Sequence, residues 1–288
     1  MNKRIFAMLF IVLSLVIAGC SSNNDADNND DKPTITFGVT PWTSTVPPTK
    51  IAEKILEDMG YEVEETEAET GAIYTGLSTG DIDVFMDSWF PNQKQYVEEY
   101  SDDIEDVAVS YDDADSGMVV PEYMDDIEDV GDLKGKEDLI DNEMYGIDAG
   151  DPAMENMEEV IEAYDLDLEL ITSSEASMLS AAEDKMENEE PVVFYGWRPH
   201  SMFQDFDLKI LSNDDAPGDF FSGSSVNVIV PKDLKDEAPE AYEFLSNWSI
   251  SLDDLEKMIA KIDDGEDPDE VTEEWIEDHQ DEVDEMKP

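Results

Sequence analysis

Short runs with the two-residue period of a β-strand, each followed by a segment with the 3.6-residue period of a helix, recur from Pro33 to about residue 230. That alternation restricts the chain to an α/β architecture. Thr34–Val39 alternates strictly and predicts the first strand. Ile51, Ile55, Leu56 and Met59 share one helix face, and Gly60 stands where that helix stops. Residues 61–64 read as the second strand, 72–78 as a helix and 82–86 as the third strand, a β-α-β-α-β unit. A second set begins near Gly117, with strands at 118–120, 144–148, 168–171 and 191–195 and a last clear strand at 226–230. Between them Asp151 is placed to cap a helix with Pro152 at its first position. The pattern predicts mainly parallel sheets in two lobes, residues 33–115 with 231–288 forming lobe 1 and 116–230 forming lobe 2. A body of this kind holds its ligand in the cleft between lobes.

The N-terminus reads as an address. Lys3 and Arg4 precede an apolar run over residues 5–17, shorter than the roughly 20 apolar residues that a membrane span needs. The run ends in Ala18-Gly19-Cys20, which resembles the lipobox of bacterial lipoproteins. Residues 1–20 are therefore expected to be a lipoprotein signal and Cys20 the lipidated residue, anchoring the chain at the extracellular face of the cell membrane. Cys20 is also the single cysteine, so no disulfide is expected. Residues 21–32 are almost wholly polar and acidic, and predict a flexible tether.

Charge narrows the partners. The chain has 76 acidic against 16 basic side chains, a formal net charge of -60. This sign excludes nucleic acid. Self-repulsion of that size opposes a compact state at low ionic strength, whereas at about 1 M salt the screening length falls to roughly 3 Å. For an exported protein the excess implies a saline medium. A calcium-loaded acidic protein is the competing explanation, but no acidic run carries the glycine and terminal glutamate of an EF-hand loop, and no metal site or cofactor is expected.

Three of the five tryptophans fall at strand ends: Trp42 after the first strand, Trp89 after residues 82–86 and Trp197 after residues 191–195. Ligands of open α/β sheets bind outside the carboxyl ends of the strands, so the three indoles are expected to converge on the cleft. Trp248 and Trp275 lie in helical patterns and are assigned to packing. Electron-rich ring faces attract a methylated ammonium, each contact contributing roughly 0.5–2 kcal/mol; stacking against a sugar is the competing use.

The segments Gly196-Trp197-Arg198-Pro199-His200, Ser88-Trp89-Phe90-Pro91-Asn92 and Val119-Val120-Pro121-Glu122-Tyr123-Met124 resemble those of the glycine betaine binding proteins of ABC importers. Gly146-Ile147-Asp148-Ala149-Gly150 with Met154, and residues 55–63, resemble the same family, and the similarity runs over residues 34–280. The resemblance implies a type II periplasmic-binding-protein fold and a cage for the trimethylammonium group at Trp42, Trp89 and Trp197. It further implies a monomer that delivers glycine betaine, or alternatively choline, carnitine or proline betaine, to a membrane permease for osmoprotection. The ligand carboxylate is then expected at the helix start around Asp151, on the N–H groups of Ala153 and Met154, although Pro152 has no N–H to give. Lys94 stands where relatives carry a histidine donor and is either a carboxylate partner or a surface lysine. Arg198 pairs with the carboxylate or with surface acids, and His200 is expected to be structural rather than a contact. Tyr74 and Tyr111 line the cleft or pack.

An enzyme is the main rival class. No nucleophile elbow, phosphate loop or zinc signature is present, and the only histidines are His200 and His279.

Overall fold

The structure, a computed structural model, describes residues 32–213 and 224–288; the signal segment, Cys20 and residues 21–31 of the tether lie outside the described residues. In chain order the strands are β1 (Thr34–Val39), β2 (Glu62–Glu67), β3 (Val84–Phe90), β4 (Ile104–Asp112), β5 (Ser116–Pro121), β6 (Glu143–Gly146), β7 (Glu169–Thr172), β8 (Phe194–Trp197), β9 (Leu208–Ile210) and β10 (Ser225–Pro231). They form two five-stranded sheets, ordered β2-β1-β3-β10-β4 and β7-β6-β8-β5-β9.

Each sheet is mixed rather than mainly parallel. A parallel trio, β2-β1-β3 in one and β7-β6-β8 in the other, is extended by one strand that runs against it, β10 or β5, and then by an edge strand, β4 or β9, that pairs antiparallel with that one and so runs with the trio. The second correction concerns β10. The sequence reading puts residues 225–230 in the second lobe, yet β10 sits between β3 and β4 of the first sheet. A run in which Val226, Val228, Ile229 and Val230 are all buried reads the same in either sheet, so periodicity cannot assign it. The chain therefore returns to the first sheet before Ser225. The two crossing segments touch where the Ala114 N–H donates to the Ser224 carbonyl at 3.3 Å.

Five helices position the cleft: α1 (Val46–Asp58), α2 (Thr70–Thr79), α3 (Lys94–Glu99), α4 (Pro152–Ala163) and α5 (Glu175–Met186). α1 lays Ile51, Ile55 and Leu56 into one cluster with Ile35, Phe37, Val84 and Met86. α2 covers the other face, burying Ile73, Tyr74 and Leu77 with Phe85 and Ile229. Successive residues of β3 and β10 thus point to opposite faces, as a doubly covered strand requires. The apolar stripe predicted for α1 is the buried one, and α2 ends at Gly80, whose φ of +76° is cheap only for glycine. Trp248 is 2% exposed and donates its indole N–H to Ser110 at 2.8 Å, and Trp275 is buried in the penultimate helix, Pro268–Asp278; both are packing residues.

β3 runs four residues further than the apolar run of residues 82–86 suggests. Asp87 and Ser88 interrupt the hydrophobic pattern yet are fully buried, because each finds side-chain hydrogen bonds inside the sheet's end. Trp89 accordingly lies within β3, and Trp197 is the last residue of β8.

The surface carries the acid excess. Edge strand β2 presents Glu62, Glu64, Glu65 and Glu67 to solvent, which discourages edge-to-edge pairing. Lysines compensate locally, as where Lys50 bridges Glu53 at 3.1 Å and Glu65 at 2.5 Å. Such pairs cannot balance a charge of -60. Raising KCl from 0.1 to 2 M is therefore expected to raise Tm by about 10 °C, worth roughly 3–5 kcal/mol in a body this size. Scanning calorimetry measures it, and a flat or falling Tm would mean that charge repulsion is not the dominant destabilising force.

Candidate functional site

A cavity of about 290 Å³ opens between the two sheets, lined by Trp42, Trp89, Asn92 and Gln93 from one side and Ile147, Asp151, Ala153, Tyr195 and Trp197 from the other. The three tryptophans are brought there by different devices. Trp42 follows β1 and precedes the tight turn Thr43–Thr45 that leads into α1. Trp89 is carried by β3 and held by its indole N–H on the Asp87 carboxylate at 3.1 Å. Trp197 closes β8 and meets Tyr195 at 5.7 Å and the edge of His200 at 5.0 Å between ring centroids. All three are more than nine-tenths buried. The Trp42 indole N–H is buried with no hydrogen-bond partner among the described residues.

Asp151 is 5% exposed. It is the N-cap of α4, as its position before Pro152 predicts, and its Oδ1 accepts the Ala153 N–H at 2.8 Å while its Oδ2 accepts the Thr70 hydroxyl at 3.2 Å. Burial pushes its pKa up to about 6; these two donors oppose the rise, and the carboxylates of Asp148 and Glu69 add to it. The cap overturns one expectation. Ala153 N–H is spent on Asp151, and Met154 N–H donates to the Asp151 carbonyl at 3.0 Å, so neither N–H is free for a ligand carboxylate. The chain's own carboxylate already occupies the positive end of the helix.

Four further expected residues stand away from the lining. Met154 packs onto β6: a Cβ added to Gly146 would meet its sulfur at 2.4 Å, which is why this strand position is glycine. Lys94 is exposed at the start of α3, while its neighbour Gln93, 1% exposed, faces the cavity. The turn after β3 rotates the two side chains apart, and no sequence period marks which of them points inward. Arg198 stacks over Phe203 at 4.2 Å and reaches Glu256 at 3.7 Å, so its partner is a surface acid. His200 is buried; its Nδ1 accepts the Met202 N–H at 3.1 Å, leaving Nε2–H to donate to Glu175 at 3.1 Å. Tyr74 and Tyr111 do not line the cavity: Tyr74 bonds Ser88 at 2.5 Å, and Tyr111 donates to Asp87 at 3.3 Å.

The sequence reading missed Tyr195, Asn92, Gln93 and Ile147 as lining residues. Asn92 was legible as the last residue of the Trp89 segment, and Tyr195 because a residue two before Trp197 on a strand shares its face. Nothing in the pattern singles out Ile147 or Gln93.

Among the described residues, side-chain hydrogen bonds span the cleft at several points. Thr43 donates to Glu175 at 2.7 Å, Thr70 to Asp151 at 3.2 Å and Asn156 to Asn92 at 2.8 Å. The conformation is closed.

The comparisons agree with this geometry. Residues 33–278 match the family model described as the substrate binding domain of ABC-type glycine betaine transport systems. The glycine betaine/carnitine transport binding protein GbuC of Listeria monocytogenes is 37% identical over 154 residues, which is 51% of either chain, so the match spans about half the length of that relative. Lactococcal OpuAC, in a closed conformation complexed with glycine betaine, superposes with a TM-score of 0.83 at 29% identity, covering 90% of this chain and 100% of that one. A choline binding protein of an ABC transporter, complexed with choline, superposes with a TM-score of 0.82 at 30% identity, covering 88% and 91%. The fold is thus that of periplasmic binding proteins, and the family transports its substrate without chemical conversion. The chain belongs to the family of substrate-binding domains of ABC-type glycine betaine transport systems.

Proposed function

We propose that this chain captures a quaternary-ammonium solute in the interlobe cavity and presents it to the permease of an ABC importer for osmoprotection, held at the membrane through Cys20. The observation that carries the reading is the convergence of Trp42, Trp89 and Trp197 on one small cavity. Three faces around a methylated cation supply on the order of 2–6 kcal/mol. Trp197→Ala is expected to raise the Kd by about 100-fold or more, equivalent to roughly 3 kcal/mol, with the fold retained by circular dichroism. Isothermal titration measures it, and an unchanged Kd would remove the cage.

At the other end of the ligand the lining favours a hydroxyl over a carboxylate. Asp151 is an acceptor, the helix N–H groups behind it are spent, and the lining residues include no lysine, arginine or histidine. A cationic alcohol such as choline offers a donor to Asp151 and a positive charge near it. Glycine betaine is the second reading, supported by the unpartnered Trp42 N–H and the Gln93 amide as donors; it requires a protonated Asp151.

These ligands respond oppositely to pH. A cation favours ionised Asp151, so choline affinity is full well above a pKa of about 6 and is lost as pH falls through it. A ligand carboxylate favours protonated Asp151, so betaine affinity rises over the same fall. At pH 7.5 choline is expected to bind at least about tenfold more tightly than glycine betaine, and Asp151→Asn to narrow that ratio. Paired titrations at pH 7.5 and 5.5 decide it; a wild-type preference for betaine at pH 7.5 would overturn the choline assignment and leave the cage intact.

The anchor is tested separately. Cys20→Ser is expected to move the protein from the membrane fraction to the medium, followed by immunoblot, whereas continued membrane retention would contradict lipidation at Cys20.

A further inference from the structure

Directly behind the cage lies a carboxylate that the reading above does not use. Asp87, on β3, is 0% exposed. Its Oδ2 accepts the hydroxyls of Ser44 at 3.1 Å and Thr45 at 2.6 Å, and its Oδ1 accepts the Trp89 indole N–H at 3.1 Å and the Tyr111 hydroxyl at 3.3 Å. Four donors saturate an ionised carboxylate, which only accepts. Among the described residues no lysine, arginine or histidine forms an ion pair with it. Burial pushes its pKa up to about 6, and the four hydrogen bonds restrain the rise.

A buried charge with no protein counter-ion is costly, and the place of this one ties it to the cavity. Ser44 and Thr45 belong to the turn that directly follows Trp42, and Trp89 lines the cavity with its ring while donating its N–H to the carboxylate. A charge-assisted hydrogen bond to an indole N–H shifts electron density into the ring. A more negative ring face attracts a cation more strongly and leaves a neutral molecule nearly unaffected.

We propose that Asp87 is the fixed counter-charge of the cage, a positioning residue that acts through the Trp89 indole N–H and gives the site its preference for a permanent cation over a neutral molecule of the same shape. This rests on the reading that the cavity takes a quaternary ammonium ion.

The test compares choline with 3,3-dimethylbutan-1-ol, which replaces the charged nitrogen by carbon, by isothermal titration in 2 M KCl at pH 7.5. Asp87→Asn keeps the size of the side chain and is expected to weaken choline about tenfold or more while changing the Kd of the alcohol less than about twofold. Loss of packing alone would weaken both ligands alike. The double variant Ser44→Ala/Tyr111→Phe removes two donors but keeps the charge; it is expected to hold the ratio of the two Kd values at pH 7.5. If Asp87→Asn does not fold, the double variant decides alone, made in an Asp151→Asn background so that Asp151 no longer titrates: with fewer donors Asp87 protonates at higher pH, so the midpoint of acid loss of choline affinity moves up relative to Asp151→Asn alone, and an unmoved midpoint overturns the proposal. An Asp87→Asn variant that keeps the wild-type ratio also overturns it. Wild-type protein that binds neither compound, or both equally, instead overturns the underlying quaternary-ammonium reading.

Discussion

Two carboxylates, Asp87 and Asp151, are buried at the interlobe cavity without a cationic partner among the described residues, and the cost of holding them there governs what the cleft can accept. Each is kept by local donors. Asp87 is held by hydroxyls and an indole N–H from three chain segments, Asp151 by the first turn of its own helix and by Thr70 at the start of α2 across the cleft. Such a frame leaves a region of negative potential walled by indoles. On the proposed reading, a cation entering it relieves the desolvated charges and meets three π faces at once, whereas an anion meets opposition unless a proton arrives with it. Shape and charge thus favour the same class of solute.

Closure uses the same residues. Thr70 reaches Asp151, Thr43 next to Trp42 reaches Glu175, and Glu175 in turn accepts from His200, whose ring meets Trp197 edge-on. Hydrogen bonds of about 0.5–1.5 kcal/mol each are weak enough to break when the lobes part and numerous enough to favour the closed form once the cavity is filled. The Ala114 and Ser224 backbones meet where the chain passes between sheets, so rotation there would move the two halves of the lining apart without disturbing either core.

Much of this was legible before any coordinates. The stripe on α1, the stop at Gly60 and the Asp151-Pro152 helix start are written in local chemistry, and each stands where the residues require. The convergence of three tryptophans followed from their strand-end positions and the general geometry of open sheets. What escaped was information that no period carries. The membership of β10 depends on which neighbours accept its hydrogen bonds, and a doubly buried valine run has no outward side to reveal it. Asp87 and Ser88 looked like the end of a strand because their polarity is satisfied by residues more than ten positions away. Gln93 and Lys94 differ only in the turn that rotates one inward and the other out. The carboxylate end was misjudged for a related reason: Asp151 was read correctly as a cap, but a cap also removes the N–H groups that a ligand would need.

The most direct test is a crystal structure of the mature protein grown with choline at pH 7.5. The account predicts the quaternary nitrogen enclosed by the faces of Trp42, Trp89 and Trp197 at roughly 4–5 Å, within the usual cation–π range, with the hydroxyl against Asp151. Choline located elsewhere, or its nitrogen turned toward Gln93 with the indoles in contact only with one another, would contradict it.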